Sequence, residues 1–552
     1  MSGTASYRWM AGVWALLTAS LVQAQALGPP PVPPQNPQIP AKIALGKVLF
    51  WDEQLSVTGT VACGSCHRPQ ASGSDPRTPL AGLASTHPGP DGQFGSDDDI
   101  HGSAGVPAHV AEGDYYPIAH FGLAPQVGRR KSPSIYDAAF APRLFWDGRA
   151  EGRFVDPDSG IELIPSGAAL ENQALQPLVD TAEMGHVGNQ FADAAARIDG
   201  ALPLQFASDL PTELVSFIAD RDYRQLFDEV FGTPQVSAAR IAMALASYQR
   251  ELAKTVVPWD LEQQGIPTLT AQELEGRQQF QRLRCQFCHA GPRHADNSFR
   301  YIGVRPVDED LGRFEVTGSS SQRGAFRVPS LRNIALRGPF MHNGGLATLG
   351  EVLDFYVRGG DFDAPNKDGL IAPGFLSESQ KVDLLAYLEG ALTDPRIAAE
   401  LPPYDRPTLF SESPRAPEIV GPGRAGALGE PRIIAVEPPW IGSDNFTIGL
   451  DQVPAGVSAT LVIALADPGL TVEVPAGNIA SLPATVLNGG FPAGGHLSVQ
   501  LDLSTRPELD GQTILGRWYV ADPTAPAGLA ISPAFRARVF GGSENLRIDG
   551  FE

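Results

Sequence analysis

The sequence predicts a mainly α-helical chain: two helical units in tandem, followed by an all-β unit. Three observations carry that expectation. A helix-like stretch leads twice into a C-x-x-C-H motif, at Cys63-Gly64-Ser65-Cys66-His67 and at Cys285-Gln286-Phe287-Cys288-His289. Helical periodicity follows each motif, over 214–231 and 237–254 after the first and over 349–358 and 377–392 after the second. Past a Pro- and Gly-rich stretch near 401–430, short apolar runs alternate with Gly, Pro and Asp turns, the spacing of an immunoglobulin-like sandwich.

The motifs fix the chemistry of the helical units. In C-x-x-C-H, each thiol forms a thioether to a haem vinyl group and the adjoining imidazole ligates the iron. A lone C-x-x-C would also suit a redox dithiol or half of a zinc site. Here all four cysteines of the chain fall inside the two motifs, each followed at once by histidine. Two covalently bound haem c groups are therefore expected, on Cys63, Cys66 and His67 and on Cys285, Cys288 and His289. Two helix-then-motif units read as tandem cytochrome c-like domains, 27–256 and 257–400, with a linker over 401–430 and the sandwich over 431–552.

The remaining elements follow in chain order. Arg8, the apolar run 10–22 and Ala24-Gln25-Ala26 form a signal-peptide pattern over 1–26, with a membrane anchor as the weaker alternative because the run is short. Export suits covalent haem attachment, which bacteria carry out outside the cytoplasm, so the protein is expected in the periplasm or secreted. A proline-rich entry, 28–40, precedes the helix-like 41–51. Between His67 and Lys131 runs an irregular segment whose Asp97-Asp98-Asp99 reads more readily as a solvated acidic loop than as a calcium site. Strands are expected over 432–436, 459–464, 470–474, 497–503 and 514–520, in a region with no cysteine or lysine and one histidine, His496. The formal charge of −21, or −22 without the segment carrying Arg8, disfavours nucleic acid and anionic membranes. It suits a basic electron-donor protein, and equally plain solubility.

Several ordered stretches go further. LGKVLFWDEQLS before Cys63, KSPSIYDAAF, LFWDGRA around Trp146, FRVPSLRNIAL and HNGG make the chain resemble the bacterial di-haem cytochrome c peroxidase family, including its MauG-like branch, over about 39–392. The resemblance implies that the N-terminal haem is the peroxide site, with Gln173, Pro177 and Glu183 on its distal side. Glu183 then moves a proton from the inner to the outer peroxide oxygen, Gln173 orients peroxide or water, and Pro177 keeps competing ligands away; positioned acid–base catalysis of this kind contributes about 10²–10⁴. Trp146 falls at the family's tryptophan between the haems. Tyr356 falls at the sixth-ligand position of the second, electron-transfer haem, with Met341 as its rival; thioether raises the potential and phenolate lowers it. Arg327 and His342 match positions beside that haem, for hydrogen bonding or propionate pairing.

Departures from the family pattern also stand out. Leu123 occupies the expected place of a distal histidine, with His120 close by, so the first iron is expected to be open without reductive activation; His101, His109 and His120 are the side chains that could block it. Lys131 stands where the family has an asparagine that helps hold an interdomain calcium, which counts against that ion and offers an ammonium in its electrostatic role. The segment between Trp146 and Gln173 is longer than usual. The implied activity is peroxide reduction at the first haem with electrons passed through the second, from a small periplasmic cytochrome c or cupredoxin. The alternatives are MauG-like oxidation of a protein or organic substrate through high-valent haems, and a non-catalytic electron carrier.

Overall fold

A computed structural model describes residues 27–77, 82–489 and 494–541; the signal-peptide pattern over 1–26 lies outside the described residues. The chain is mixed rather than mainly helical. Helices cluster up to about residue 398, but long irregular connections separate them, and nearly all longer strands lie in the C-terminal part.

Each motif is introduced by a helix built to the same plan. Helix α1 (Pro40–Phe50) starts with proline, whose missing N–H costs nothing in a first turn, and buries Leu45, Val48 and Leu49. Its Gly46 lets it approach helix α2 (Ala238–Leu252) closely: a Cβ there would lie 2.0 Å from the Ala244 carbonyl oxygen and 2.9 Å from Tyr248 Cβ. Before the second motif, α3 (Ala271–Arg282) is capped reciprocally, Thr270 Oγ1 accepting from the Glu273 N–H and Glu273 from the Thr270 N–H. A Cβ on its Gly276 would lie 1.9 Å from the Asp383 carbonyl oxygen and 2.8 Å from Tyr387 Cβ, on the last long helix, α4 (Glu378–Ala386), and the turn after it. Phe50 meets Tyr248 at 5.3 Å and Phe280 meets Tyr387 at 5.6 Å, ring centre to ring centre. The two halves thus repeat one packing unit.

Buried ion pairs lock the rest in place. Arg250 makes a two-pronged pair with Glu171 (2.8 and 3.0 Å), whose Oε1 also accepts from Asn36 Nδ2 at 2.8 Å. That ties α5 (Ala169–Leu175), the helix carrying Gln173, to α2. Arg332 pairs with Asp260 in the same manner (2.9 and 2.6 Å). The expected helix over 214–231 is two helices, Thr212–Ile218 and Tyr223–Phe231, because Ala219 and Asp220 turn into the left-handed region between them.

The C-terminal part holds two antiparallel sheets around one apolar core. Strands are β1 (Glu418–Val420), β2 (Arg432–Ile434), β3 (Phe446–Val453), β4 (Ser458–Ala464), β5 (Ala480–Thr485), β6 (Leu487–Asn488), β7 (Gly495–Leu501), β8 (Thr513–Ala521), β9 (Leu529–Ile531) and β10 (Ala534–Arg538). One sheet runs β5-β4-β8-β10-β1 with β9 also on β8; the other runs β6-β7-β3-β2. Ile448, Leu450, Leu461, Ile514 and Trp518 fill the space between them. The expected strand over 470–474 is instead a loop. Prolines 468 and 475 flank it, no strand among the described residues pairs with it, and its Leu470 and Thr471 carbonyls accept from the Arg424 guanidinium. Strand β3 was missed although Phe446, Ile448 and Leu450 alternate toward the core with Thr447, Gly449 and Asp451 on the other face.

The stretch 401–430 is packed rather than free. Tyr404, Leu409 and Phe410 are buried against the first helical unit, and the Phe410 N–H donates to Glu53 at 2.6 Å.

Candidate active site and its partner cavity

Two cavities adjoin the two motifs. The first motif opens into a cavity of about 690 Å³ lined by Cys63, Cys66, His67, Gln173, Pro177 and Glu183. The second opens into one of about 460 Å³ lined by Cys285, Cys288, His289, Met341, His342 and Tyr356. Trp146 and Arg327 line both.

The backbone explains the placement of the first motif. A Cβ on Gly64 would lie 2.2 Å from Trp51, so the residue after Cys63 must be small for the motif helix to rest on that buried indole. His67 Nδ1 lies 2.8 Å from the Gly73 carbonyl oxygen, and His289 Nδ1 lies 3.0 Å from that of His294. Each carbonyl accepts the Nδ1 proton and leaves Nε2 free to bind iron, the usual second partner of a metal-bound histidine. Burial holds both imidazoles below their ordinary pKa, His289 at about 4, so they are neutral as ligation requires. Burial also pushes the Cys63 and Cys66 thiols up to about 12 and 11, opposite to the thiolate character of a redox dithiol or zinc site. The side-chain Nε atoms of Arg327 and Arg337 are buried without a hydrogen-bond partner among the described residues, an arrangement that suits an anionic group such as a haem propionate. Residues, cavities and free guanidinium nitrogens all fit a haem at each motif.

On the lining of the first cavity, Pro177 closes α5 by supplying no amide hydrogen, and the chain turns through 180–185. Asp180 organises that turn: its carboxylate accepts from the Ala182 N–H at 2.8 Å and its carbonyl from Met184 and Gly185 at 3.0 and 2.8 Å. Gln126 braces it from outside, donating to the Thr181 carbonyl at 2.6 Å. Glu183 therefore faces the cavity, and a smaller hollow of about 310 Å³ shares it with Phe145, Arg149, Pro177 and Asp180. Burial, then the nearby Asp180, raise its pKa to about 7, while Arg149 opposes the rise. A carboxyl group poised there can both accept and return a proton.

Between the cavities, Trp146 donates its Nε1–H to the Lys131 carbonyl at 2.7 Å and meets His342 edge-on at 6.4 Å. Gly148 turns the chain after it; a Cβ would lie 2.3 Å from Phe299. Lys131 is buried beside the Ser74 hydroxyl, and burial lowers its ammonium to about 8. His342 stacks on Phe326 at 3.7 Å and is lowered to about 4 by burial. Tyr356 projects from helix α6 (Leu349–Arg358); burial, then the Cys285 and Cys288 thiols, push its phenol upward.

Of the three possible blockers, only His120 lines the first cavity. His101 sits in a short ladder with Thr86, and His109 is buried against Tyr115 and His186. Leu123 points away, into a cluster with Tyr115 and Ile434. Sequence reasoning missed His87, Arg149 and Gln249, which also line the cavity. Arg149 was within reach of it, inside the LFWDGRA stretch; His87 and Gln249 carry no local signal, since only tertiary packing brings them there.

The model of the di-haem cytochrome c peroxidase family matches residues 40–266. The methylamine utilization protein MauG of Methylorubrum extorquens is 29% identical over 370 residues, 66% of this chain and 82% of that protein. The cytochrome-c peroxidase IdrP1 of Denitromonas iodatirespirans is 29% identical over 406 residues, 67% of this chain and 87% of that protein. The cytochrome c551 peroxidase of Nitrosomonas europaea is 27% identical over 333 residues, 59% of this chain and 76% of that protein. Over the part that carries its two haem motifs, the chain is similar to proteins of the di-haem cytochrome c peroxidase family.

Proposed function

We propose that this protein is a periplasmic di-haem oxidoreductase that reduces hydrogen peroxide at its first haem with electrons passed through its second. Two cytochrome c-like units, 27–256 and 257–400, each hold one covalent haem c, and an immunoglobulin-like sandwich follows over 431–552. The single observation that carries the reading is Glu183, a carboxyl group raised to about 7, lining the same cavity as the first C-x-x-C-H motif.

Cys63 and Cys66 would anchor the first haem and His67 its iron; Cys285, Cys288 and His289 would do the same for the second. When bound, haem supplies the iron to which peroxide attaches and the electrons that cleave its O–O bond. Glu183 would take a proton from one peroxide oxygen and return it to the other, so that the latter can leave as water. Gln173 orients the peroxide, and Pro177 presents no competing ligand. Trp146, on the wall of both cavities, offers the aromatic route between them. Arg327 would hold propionate charge. The Lys131 ammonium would take the electrostatic role of an interdomain calcium, which puts that ion in doubt. Two electrons and two protons turn one peroxide into two waters, the electrons coming from a small cytochrome c or cupredoxin. Among the described residues no helix is long and apolar enough to cross a membrane.

Tyr356 favours a second reading. As sixth ligand of the second iron, in preference to Met341, it would lower that site's potential and allow oxidising equivalents to be used on a protein or organic substrate. The similarity to MauG proteins points the same way.

Electron paramagnetic resonance of the ferric holoprotein tests the division of labour. One high-spin and one low-spin signal, both lost on stoichiometric peroxide, are expected. Two low-spin signals indifferent to peroxide would leave an electron carrier.

A further inference from the structure

The irregular segment that walls the first cavity is fastened to the C-terminal β unit. Tyr115 donates its hydroxyl to Glu437 at 2.7 Å, and its N–H to Ser498 Oγ at 3.1 Å. The Leu123 N–H donates to Asp451 Oδ2 at 2.8 Å, and Arg432 Nη2 donates to the Phe121 carbonyl at 2.8 Å. Arg432 Nε in turn donates to Asp451 Oδ1 at 2.7 Å, across the β2–β3 ladder. Further along, Gln500 Nε2 donates to the Glu112 carbonyl at 2.6 Å. Most of these groups belong to the sheet β6-β7-β3-β2, which thus has a ligand of its own chain on one face.

Shape enforces the same contact. Gly449 of β3 is small where Leu123 and Tyr115 arrive: a Cβ there would lie 3.1 Å from each side chain. Gly122 has φ of +59°, and a Cβ on it would lie 2.4 Å from Asp451 Oδ2. Between these anchors Ile118 and Gly122 exchange backbone hydrogen bonds at 3.1 and 2.9 Å, closing a tight turn with His120 near its tip at φ of +69°. His120 and Phe121 face the first cavity, while the adjoining Leu123 faces the β unit.

We propose that the β unit is a positioning device for the first haem site: Asp451, Arg432 and Glu437 hold the His120 turn as a fixed wall of the peroxide cavity and so set access to it. This rests on the reading that the first motif carries an open haem. None of the three residues touches that cavity, so each acts through the turn.

The test uses the full-length holoprotein with both haems. Asp451→Ala is expected to speed amide hydrogen exchange over 112–123 by about tenfold. It is also expected to raise the rate of cyanide association at the first ferric haem several-fold, with the absorption of the second haem unchanged. Gln500→Ala, a milder change at the periphery, should move both readouts in the same direction and serves if Asp451→Ala does not fold. Faster exchange with an unchanged cyanide rate would overturn the proposal, leaving the β unit a mere stabiliser; so would unchanged exchange. Wild-type protein that takes up no cyanide at all would instead overturn the open-haem reading, and this proposal with it.

Discussion

The two haem-motif regions share a scaffold and differ in what faces the metal-binding histidine. Each sets a glycine-bearing helix against a later tyrosine-bearing one, and each points a motif histidine, with Nδ1 on a carbonyl, into a cavity. The first cavity is also lined by Glu183, Gln173 and an aromatic–histidine turn, and the second by Tyr356, Met341 and a mostly aliphatic wall. A repeated scaffold thus supports unequal chemistry, because the helices fix the proximal side while loops and later helices furnish the distal side. Under the proposed function, the group able to exchange protons serves bond cleavage, and the group able to fill a coordination position serves electron storage.

Removing one attachment site gives the largest expected effect and tests the independence of the two halves. Cys63→Ser with Cys66→Ser should lower the haem content from two to one per chain, measured by pyridine haemochrome, and abolish the reaction with peroxide. The second haem should keep its spectrum. Loss of both haems would show that the halves cannot fold separately.

Glu183→Gln is next. It should leave two haems attached and slow the peroxide-dependent loss of the ferric signals by about 10²–10⁴, the usual contribution of a positioned acid–base group. The sign of the pH dependence follows from the raised pKa. Glu183 must be ionised to take the first proton, so the wild-type rate should climb as pH rises toward about 7 and level off above it. The variant's profile should lose that inflection. An unchanged rate in stopped-flow measurements would remove Glu183 from its role and erase the chemical difference between the cavities.

Replacing the rival ligands sharpens the other half of the comparison. Tyr356→Phe should raise the midpoint potential of the second haem and alter its low-spin signal, whereas Met341→Leu should leave both nearly unchanged. The reverse pattern would assign the ligand to Met341 and favour plain peroxide reduction.

Much of this contrast was legible in the sequence, and the limits are physical. The motifs were readable because the C-x-x-C-H pattern fixes residue types at fixed spacing. Glu183 was readable only through the spacing of Gln173 and Pro177, since a lone carboxylate carries no signal. The docking of Tyr115 and Leu123 on the β unit was not readable: it joins residues more than three hundred positions apart through contacts that impose no local periodicity. Strand β3 alternates regularly, with Phe446, Ile448 and Leu450 toward the core, but nothing local showed that its Gly449 and Asp451 receive that same segment.

The smallest effect concerns the shared scaffold, and it was half visible in sequence as Gly46-Lys47-Val48-Leu49-Phe50 and Gly276-Arg277-Gln278-Gln279-Phe280. Gly→Ala within a helix ordinarily stabilises by up to about 1 kcal/mol. At these two positions the sign should reverse. The added Cβ would meet a backbone carbonyl at 2.0 Å in one half and 1.9 Å in the other, and a carbonyl inside a helix cannot step aside as a side-chain tip can. The helices must separate instead, at the roughly 1–3 kcal/mol typical of overpacking. Gly46→Ala should therefore lower the thermal stability of the first unit and Gly276→Ala that of the second, each followed by the Soret absorption of its own haem. Equal losses would establish the repeat as a mechanical equivalence beneath unequal chemistry, while a loss in one half alone would show that only that half depends on close helix contact.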